Sequence, residues 1–320
     1  MPSILKMPEL ILEKIIEFSD FKAVLTLRQV CRDFRNFIDE LYDSKLPDSN
    51  VQSIQIIVTY EESIEFEFVN FDESSDSTLY SKRDNSRIFN GKSRILETLD
   101  IFIVAIQDLA RILKFQKSIL KFLDLIFSTP PIAGLQMSNI FGALKFKTQS
   151  LKILAQSEFS SILSLVDPGT LEMIDFHLWY NSDIEMDQIA KTEQWKNAKE
   201  FINRPYSLNM DVKLTSHFSK CNIYVKSISG TDLNFLKESY IKSPNFKYSH
   251  IGVEFWNEEL SSALGPFDID GIYRKWYFRV QNSDENMLKV EISSEEKQID
   301  FEVIQMDNVP DQVVVKKLNN

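Results

Sequence analysis

The chain has 320 residues, of which 43% are hydrophobic, and its formal net charge is −11. This length and apolar content indicate a folded chain of about one to three domains and exclude a disordered one. The acidic balance repels phosphate backbones, so we expect no binding to nucleic acid. The two cysteines, Cys31 and Cys221, are too few for a disulfide framework and indicate a reducing compartment, the cytoplasm or the nucleus. No signal peptide opens the chain, and no apolar run approaches the length of about 18 residues that a membrane span needs, so we expect no membrane partner.

Helical patterns dominate the first 45 residues. Pro8 precedes an amphipathic pattern over 9–18, where its missing N–H suits a first helical turn. Apolar residues recur at helical spacing between Leu27 and Leu41, and 19–21 indicate a turn with a cap. The segment therefore holds two or three short helices. Domains below about 40 residues seldom fold without a partner, so these helices must pack on the body of the protein or on another chain.

Strand patterns begin after a turn at 46–50. Runs of β-branched and aromatic residues at 51–59 and 64–71 predict a β-hairpin, and 79–82 predict a short strand. Helix and strand patterns then alternate, which favours a parallel sheet. The predicted helices are 101–113, 140–144, 159–165, 186–201 and 231–243. The predicted strands are 118–127, 150–154, 171–179, 206–214 and 248–255.

Three of these strands share a Leu-rich texture and recur every 20 to 30 residues or so, the period of leucine-rich repeats. Strands at 271–280, 287–292 and 298–304, separated by polar turns, predict a closing β meander. We therefore predict an α/β fold with N-terminal helices, leucine-rich-repeat-like β/α repeats and a C-terminal meander. The predicted divisions are helices at 1–45, linker and hairpin at 46–98, repeats at 99–265 and strands with a tail at 266–320.

The N-terminal pattern resembles an F-box. F-boxes begin with a hydrophobic-Pro pair and an aliphatic helix, and continue with a second aliphatic patch and a Val-Cys-basic-x-aromatic stretch. Met7 stands where Leu is commoner and Phe34 where Trp is common, and both keep an apolar side chain. The resemblance implies docking on a Skp-family adaptor and, through it, on a cullin scaffold. The residues that we expect to contact the adaptor are Met7, Pro8, Ile11, Leu12, Ile15, Leu25, Leu27, Val30, Cys31 and Phe34.

A second resemblance lies far downstream. Residues 192–201, Thr-Glu-Gln-Trp-Lys-Asn-Ala-Lys-Glu-Phe, are similar to the Gln-Trp-Lys-x-Ala-Lys signature of the FTH domain, which follows an F-box in the nematode F-box A family. His217-Phe218, Val225, Ile228 and Asp232-Leu233 also fit that pattern. The resemblance implies a ligase subunit with target-binding C-terminal repeats. From the residues alone, Trp195 is predicted to pack in the core.

Motifs for catalysis and for metal or cofactor binding are missing. The three histidines are not part of a His-Glu-x-x-His zinc motif, and no nucleophile elbow or phosphate-binding glycine loop occurs. Asp175 and His177 alternate on a predicted strand, where an acid–His pair can orient a base, but no Ser or Cys is suitably placed. We therefore predict no catalytic residue, no metal and no cofactor.

The sequence thus favours a non-catalytic substrate-recognition subunit of an SCF-type ubiquitin ligase. The alternatives are an interaction scaffold whose N-terminal helices pack internally, and an enzyme with an unrecognised site. Aromatic residues near strand ends make good interface anchors. Trp179, Tyr180 and Trp256 are therefore candidate target contacts, although such residues more often belong to the core.

Overall fold

The computed structural model describes residues 7–59, 63–89, 91–96, 100–128, 144–155, 159–178, 184, 186–281, 283–310 and 315–316. In these ranges the fold is mixed α/β, as predicted. Three helices open the chain, and the strands that follow form one sixteen-stranded sheet.

The N-terminal helices are α1 (Glu9–Phe18), α2 (Phe21–Val30) and α3 (Arg32–Glu40). The apolar spacing that runs from Leu27 to Leu41 therefore belongs to two helices. The helical backbone is interrupted at Cys31, whose φ of −157° and ψ of 170° are extended. Asp20 caps α2 by accepting a hydrogen bond from the Ala23 N–H, so the predicted cap is confirmed.

The strands before and within the parallel part of the sheet are β1 (Val51–Thr59), β2 (Ser63–Asn70), β3 (Ser75–Ser81), β4 (Ser86–Phe89), β5 (Lys92–Ile95), β6 (Leu120–Phe127), β7 (Thr148–Ala155), β8 (Met173–Leu178), β9 (Glu200–Arg204), β10 (Lys220–Val225) and β11 (Tyr248–Val253). The last strands are β12 (Asp268–Asp270), β13 (Tyr273–Arg279), β14 (Asn286–Ser293), β15 (Gln298–Gln305) and β16 (Val315–Lys316). The helices among them are α4 (Ile101–Phe115), α5 (Phe159–Leu163), α6 (Met186–Ile189), α7 (Glu193–Asn197) and α8 (Gly230–Lys242).

Seven neighbouring strands, in the order β1, β6, β7, β8, β9, β10 and β11, run parallel. Antiparallel strands extend the sheet on both sides: β2 to β5 beyond β1, and β15, β14, β13 and β12 beyond β11. The predicted hairpin, parallel sheet and C-terminal meander are confirmed. Because β1 pairs with both β2 and β6, the hairpin belongs to the same sheet as the later strands.

The main core lies between one face of the sheet and the helices α4, α5, α7 and α8. Strand residues on that face are buried in alternation, as Phe176 and Phe201 show. The Phe159 ring of α5 packs on Phe176 with centroids 4.7 Å apart, and the Trp195 ring of α7 packs on Phe201 at 4.6 Å. Trp195 is 2% exposed, so its predicted core position is confirmed.

Three local predictions are wrong or incomplete. The predicted helix over 186–201 is two short helices followed by strand β9, because the chain turns extended at Ala198, where ψ is 145°. The predicted strand at 206–214 contributes an isolated bridge at Leu208 and a short 3₁₀ helix at Val212–Thr215. Strands β4, β5, β10, β12 and β16 were not predicted. Residues 140–143 of the predicted helix at 140–144 lie outside the described residues.

Candidate adaptor-docking surface

An ion pair fixes the angle between α2 and α3. The Arg28 guanidinium donates two hydrogen bonds to the Asp39 carboxylate, Nε to Oδ1 and Nη2 to Oδ2, both at 2.7 Å. In one continuous helix, residues 28 and 39 would lie about 16 Å apart along the axis. The contact therefore requires the break at Cys31. The Arg28 hydrogen bonds also hold the pKa of Asp39 below its usual value.

The inner sides of the three helices form a small hydrophobic cluster of their own. Its buried members are Ile16, Val24, Ile38, Leu41, Leu46 and Phe115. Phe21, Leu25, Leu27 and Phe37 pack around these side chains and are half-buried. Phe115, the last residue of α4, joins the cluster from the sheet domain, and its ring meets the Phe21 ring edge-on at 5.1 Å. The N-terminal helices therefore share a core with the body of the protein.

Polar contacts join the same two parts at a junction between residues 48 and 118. The Asp48 carboxylate accepts hydrogen bonds from the backbone N–H groups of Lys117 at 3.1 Å and Ser118 at 3.0 Å. The Ser49 N–H donates to the Phe115 carbonyl at 2.9 Å. The Lys114 ammonium donates to the Asp39 carbonyl at 2.8 Å. These contacts hold the helices in one orientation on the sheet domain.

The outer sides of the helices carry large apolar side chains in contact with solvent. We call this set the N-terminal apolar patch: Met7, Leu10, Ile11, Phe18 and Val30, with exposed fractions of 44%, 64%, 47%, 83% and 64%. On α1, Leu10, Ile11 and Phe18 follow helical spacing, opposite to the buried pair Leu12 and Ile16. Large exposed apolar side chains that cluster on a folded protein are a common feature of interaction sites.

The residues predicted to contact the adaptor are distributed over both sides of the helices. Met7, Pro8, Ile11 and Val30 are exposed. Ile15, Leu25, Leu27 and Cys31 are half-buried. Leu12 and Phe34 are buried within the fold, at 6% and 5% exposed.

Two exposed members of the patch, Leu10 and Phe18, were missing from the predicted set. The amphipathic pattern over 9–18 gives no measure of which face of the helix the body of the protein covers. The position of Phe115 decides that, and it is 97 residues after Phe18 in the sequence (115 − 18).

Of the candidate target contacts, Trp179 and Tyr180 lie outside the described residues. Trp256 is half-buried against the main core, and its Nε1–H is buried without a hydrogen-bond partner in the described part of the chain. A role of Trp256 in target binding therefore stays a prediction.

Each histidine is held by a neighbour inside the fold. His177 Nε2 lies 3.0 Å from Asp175 Oδ1 on β8, so the pair predicted from alternation is in contact. His217 Nε2 lies 2.9 Å from the Trp195 carbonyl, and His250 Nδ1 lies 2.8 Å from Asp300 Oδ1. Across the described ranges, His, Cys, Asp and Glu side chains form no group of three or more that could hold a metal ion. Within the same ranges, the helices are all too short or too polar to cross a membrane.

Comparison with known families places two domains on the chain. The F-box domain matches residues 4–46, the three N-terminal helices with the turn that follows. The FTH domain matches residues 135–268, which include most of the parallel strands. F-box A protein 224 of Caenorhabditis elegans is 24% identical over 144 residues, covering 44% of this chain and 34% of that relative. The match thus spans about a third of the relative's length, and no solved structure matches the chain.

Proposed function

We propose that this chain, which belongs to the F-box proteins that carry an FTH domain, is a substrate-recognition subunit of an SCF-type ubiquitin ligase. F-box domains generally bind a Skp-family adaptor and, through it, a cullin. Both domain families are typically non-enzymatic. The chain would therefore act by proximity: it docks on the adaptor, holds a target, and leaves ubiquitin transfer to a conjugating enzyme bound to the cullin.

The N-terminal apolar patch is the observation that carries this proposal. The helices already have a buried core in the cluster around Ile38 and Phe115, so the outer apolar side chains are not needed for internal packing. Their burial in a groove between adaptor helices would remove apolar surface from water. The half-buried residues Leu25 and Leu27 pack against that cluster.

The scaffold alternative predicts that the N-terminal helices pack internally and keep no free apolar face. Internal packing does account for Ile16, Val24 and Ile38. It does not account for Leu10 and Val30, each 64% exposed. The adaptor-binding function therefore explains more of the N-terminal surface.

For the target side, we propose that the parallel strands β6 to β11 form a leucine-rich-repeat-like scaffold that presents the target site. Their uniform parallel pairing and the FTH match over residues 135–268 support this role. Trp256, Trp179 and Tyr180 remain our proposed aromatic contacts of the target, since loops at strand ends commonly carry binding.

The decisive experiment is the affinity of the full chain for a purified Skp-family adaptor, measured by calorimetry. We expect Leu10→Asp with Val30→Asp to weaken binding by about 30-fold or more, because the loss of even one interface hot spot costs about 2 kcal/mol. Both side chains point to solvent, so the thermal transition of the variant should stay close to that of the parent.

The matched control is Phe255→Asp with Ile269→Asp, which places the same two charges at residues outside the N-terminal helices that are 64% and 74% exposed. It should bind the adaptor like the parent. An adaptor that does not bind the parent chain would refute the ligase function. Unchanged affinity of the double variant would refute the patch as the docking surface. Leu27→Asp is a poorer choice, because Leu27 packs on the inner cluster and its replacement would also unfold the helices.

A further inference from the structure

One edge of the sheet carries a concentration of positive charge on an otherwise acidic chain. In β4 and β5, Arg87 is paired with Arg94 and Phe89 with Lys92. Tyr80 of β3 is paired with Arg87, so these residues share the face of the sheet on which α4 packs. Arg111 of α4 lies beside them, since it and Arg87 contact the same carboxylate, that of Asp108. We call Arg87, Phe89, Lys92, Arg94 and Arg111 the basic edge face.

The charges on this face are not balanced within it. The Asp108 carboxylate is shared by Arg87, whose Nη1 lies 3.3 Å from it, by Arg111, and by the Tyr80 hydroxyl at 2.7 Å. The Nε–H of Arg87 is buried without a hydrogen-bond partner in the described part of the chain. Like charges directly opposite each other destabilise an antiparallel pair, and Arg87 faces Arg94 in this way. Among the described residues, the face therefore holds one unsatisfied donor and more positive than negative charge.

The backbone beside this face is also unsatisfied. Strand β5 ends the sheet, so among the described strands its outer edge pairs with none. All four of its residues are exposed, including Ile95 at 69%. Phe89, on the neighbouring strand, is 44% exposed. Such an edge can accept an added strand from another chain.

Charged side chains on an edge strand also have a protective use, because they hinder aggregation. Lys92 and Arg94 on β5 would be enough for that purpose. Protection does not require a second arginine directly opposite Arg94, nor a buried guanidinium N–H without an acceptor. The pairing of like charges is a cost to the free protein that a ligand with acidic groups would reduce.

We propose that the basic edge face is a docking site for an extended, carboxylate-rich segment of the target protein, which adds as a strand beside β5. Its alternate side chains would place carboxylates near Arg87, Lys92 and Arg94. The rest of the chain repels such a segment, since the net charge is −11, and this repulsion confines it to the basic face. Only the identification of the segment as part of a target rests on the proposed function.

The test uses the full chain bound to its adaptor and fluorescein-labelled twelve-residue peptides as probes, with affinity read by fluorescence anisotropy. The first probe alternates Glu and Thr, and the second alternates Lys and Thr. A third repeats the Glu probe with N-methyl groups on alternate residues, which removes strand-pairing donors and keeps the charge. We expect the Glu probe to bind at least tenfold more tightly than either of the others.

Lys92→Glu with Arg94→Glu should weaken binding of the Glu probe at least tenfold. Lys147→Glu with Lys191→Glu is the matched control, since it makes the same charge change at two exposed lysines elsewhere. Arg94→Glu alone should also raise the melting temperature by about 1–3 °C, because it puts a carboxylate opposite Arg87. Loss of affinity together with a gain in stability separates a binding role from a structural one.

Equal binding of the Glu and Lys probes, or equal losses in the test and control variants, would overturn the proposal. A phosphothreonine peptide that binds while the Glu probe does not would overturn the carboxylate assignment. Full affinity of the N-methylated probe would overturn strand addition. Adaptor affinity is measured in the same samples. If the peptides fail to bind, the proposed ligase function stands. If the adaptor fails to bind, the peptide affinities can still be measured with the free chain.

Discussion

Trp195 shows how a signature residue of the FTH domain serves the fold. Its ring packs against those of Phe201 and Phe218, with centroids 4.6 and 4.9 Å apart. Its Nε1–H donates to the Leu214 carbonyl at 3.2 Å. Its own carbonyl contacts His217 at 2.9 Å. The Trp195 side chain thus connects a short helix, a strand and the 3₁₀ turn. Packing alone explains why a tryptophan stands at this position.

We expect Trp195→Phe to lower the free energy of unfolding by about 1–3 kcal/mol, because the Leu214 carbonyl would stay buried without its donor. Trp256→Phe is the matched control. The Nε1–H of Trp256 is buried with no acceptor in the described part of the chain, so its removal should cost less or stabilise the protein. Urea unfolding followed by circular dichroism measures both. A larger loss for Trp256→Phe than for Trp195→Phe would show that the hydrogen bond is not the main contribution.

The sequence could not provide the solvent exposure of the residues that we propose to dock on the adaptor. The motif located the segment that matches the F-box domain, and Met7, Ile11 and Val30 are on its outer surface. Leu12 and Phe34 fit the motif equally well but lie inside. Exposure depends on packing against distant residues, and a pattern of apolar spacing holds no information about them.

At the level of secondary structure, local patterns succeeded where one periodicity dominated a long run. The helix at 101–113 and the hairpin at 51–59 and 64–71 are present with small shifts in their ends. The prediction of one helix over 186–201 is wrong because residues of a helix and of a strand are buried in the same core. Trp195, Ala198 and Phe201 are all buried, and their spacing of three fits a helix, yet Phe201 belongs to β9.

The strands that were not predicted have different physical reasons. β10 alternates cleanly, with Cys221, Ile223 and Val225 buried, so its alternation was a strand signal that could have predicted it. β4 and β5 are four residues each and carry mostly polar or charged side chains. They form because a neighbouring strand is available, and that depends on the topology of the whole sheet.

The end of α4 is the element that joins the F-box helices to the sheet domain. We expect Phe115→Ala to accelerate amide hydrogen exchange throughout α2 and α3, because a buried Phe→Ala change costs about 3–5 kcal/mol and this side chain is 3% exposed within their cluster. Exchange in β13 to β15 should not change. The control is Phe122→Ala on β6, a residue that is 43% exposed. Unchanged exchange in α2 and α3 would mean that these helices keep their structure without the sheet domain.

In the whole molecule, the described strands form one sheet in which every strand is hydrogen-bonded to its neighbour. Hydrogen-bonded strands continue from β5 to β12, and β1, near the start of the chain, pairs with β6 at 69 residues' separation between Ser53 and Phe122 (122 − 53). The F-box helices are attached to this sheet through Phe115 and Asp48. Such continuity favours unfolding as a single unit.

We therefore expect one thermal transition in scanning calorimetry, with a calorimetric enthalpy equal to the van't Hoff enthalpy. Phe115→Ala provides the comparison, since loosening the junction should separate an early transition of the helices from that of the sheet. Two transitions in the parent chain would contradict the shared core. A single transition in both chains would show that Phe115 does not couple the two parts.

The backbone contacts of Asp48 have a consequence for which lysines of a target can be modified. If a flexible linker joined the F-box to the sheet domain, a target bound to the sheet domain would sample many distances from the conjugating enzyme. Here the Asp48 carboxylate accepts hydrogen bonds from the backbone N–H groups of Lys117 and Ser118. These bonds favour one orientation of the F-box helices on the sheet domain. Under the proposed function, the reach from adaptor to target is then a fixed property of the fold. A target could bring a different lysine into range only by binding at a different place on the sheet.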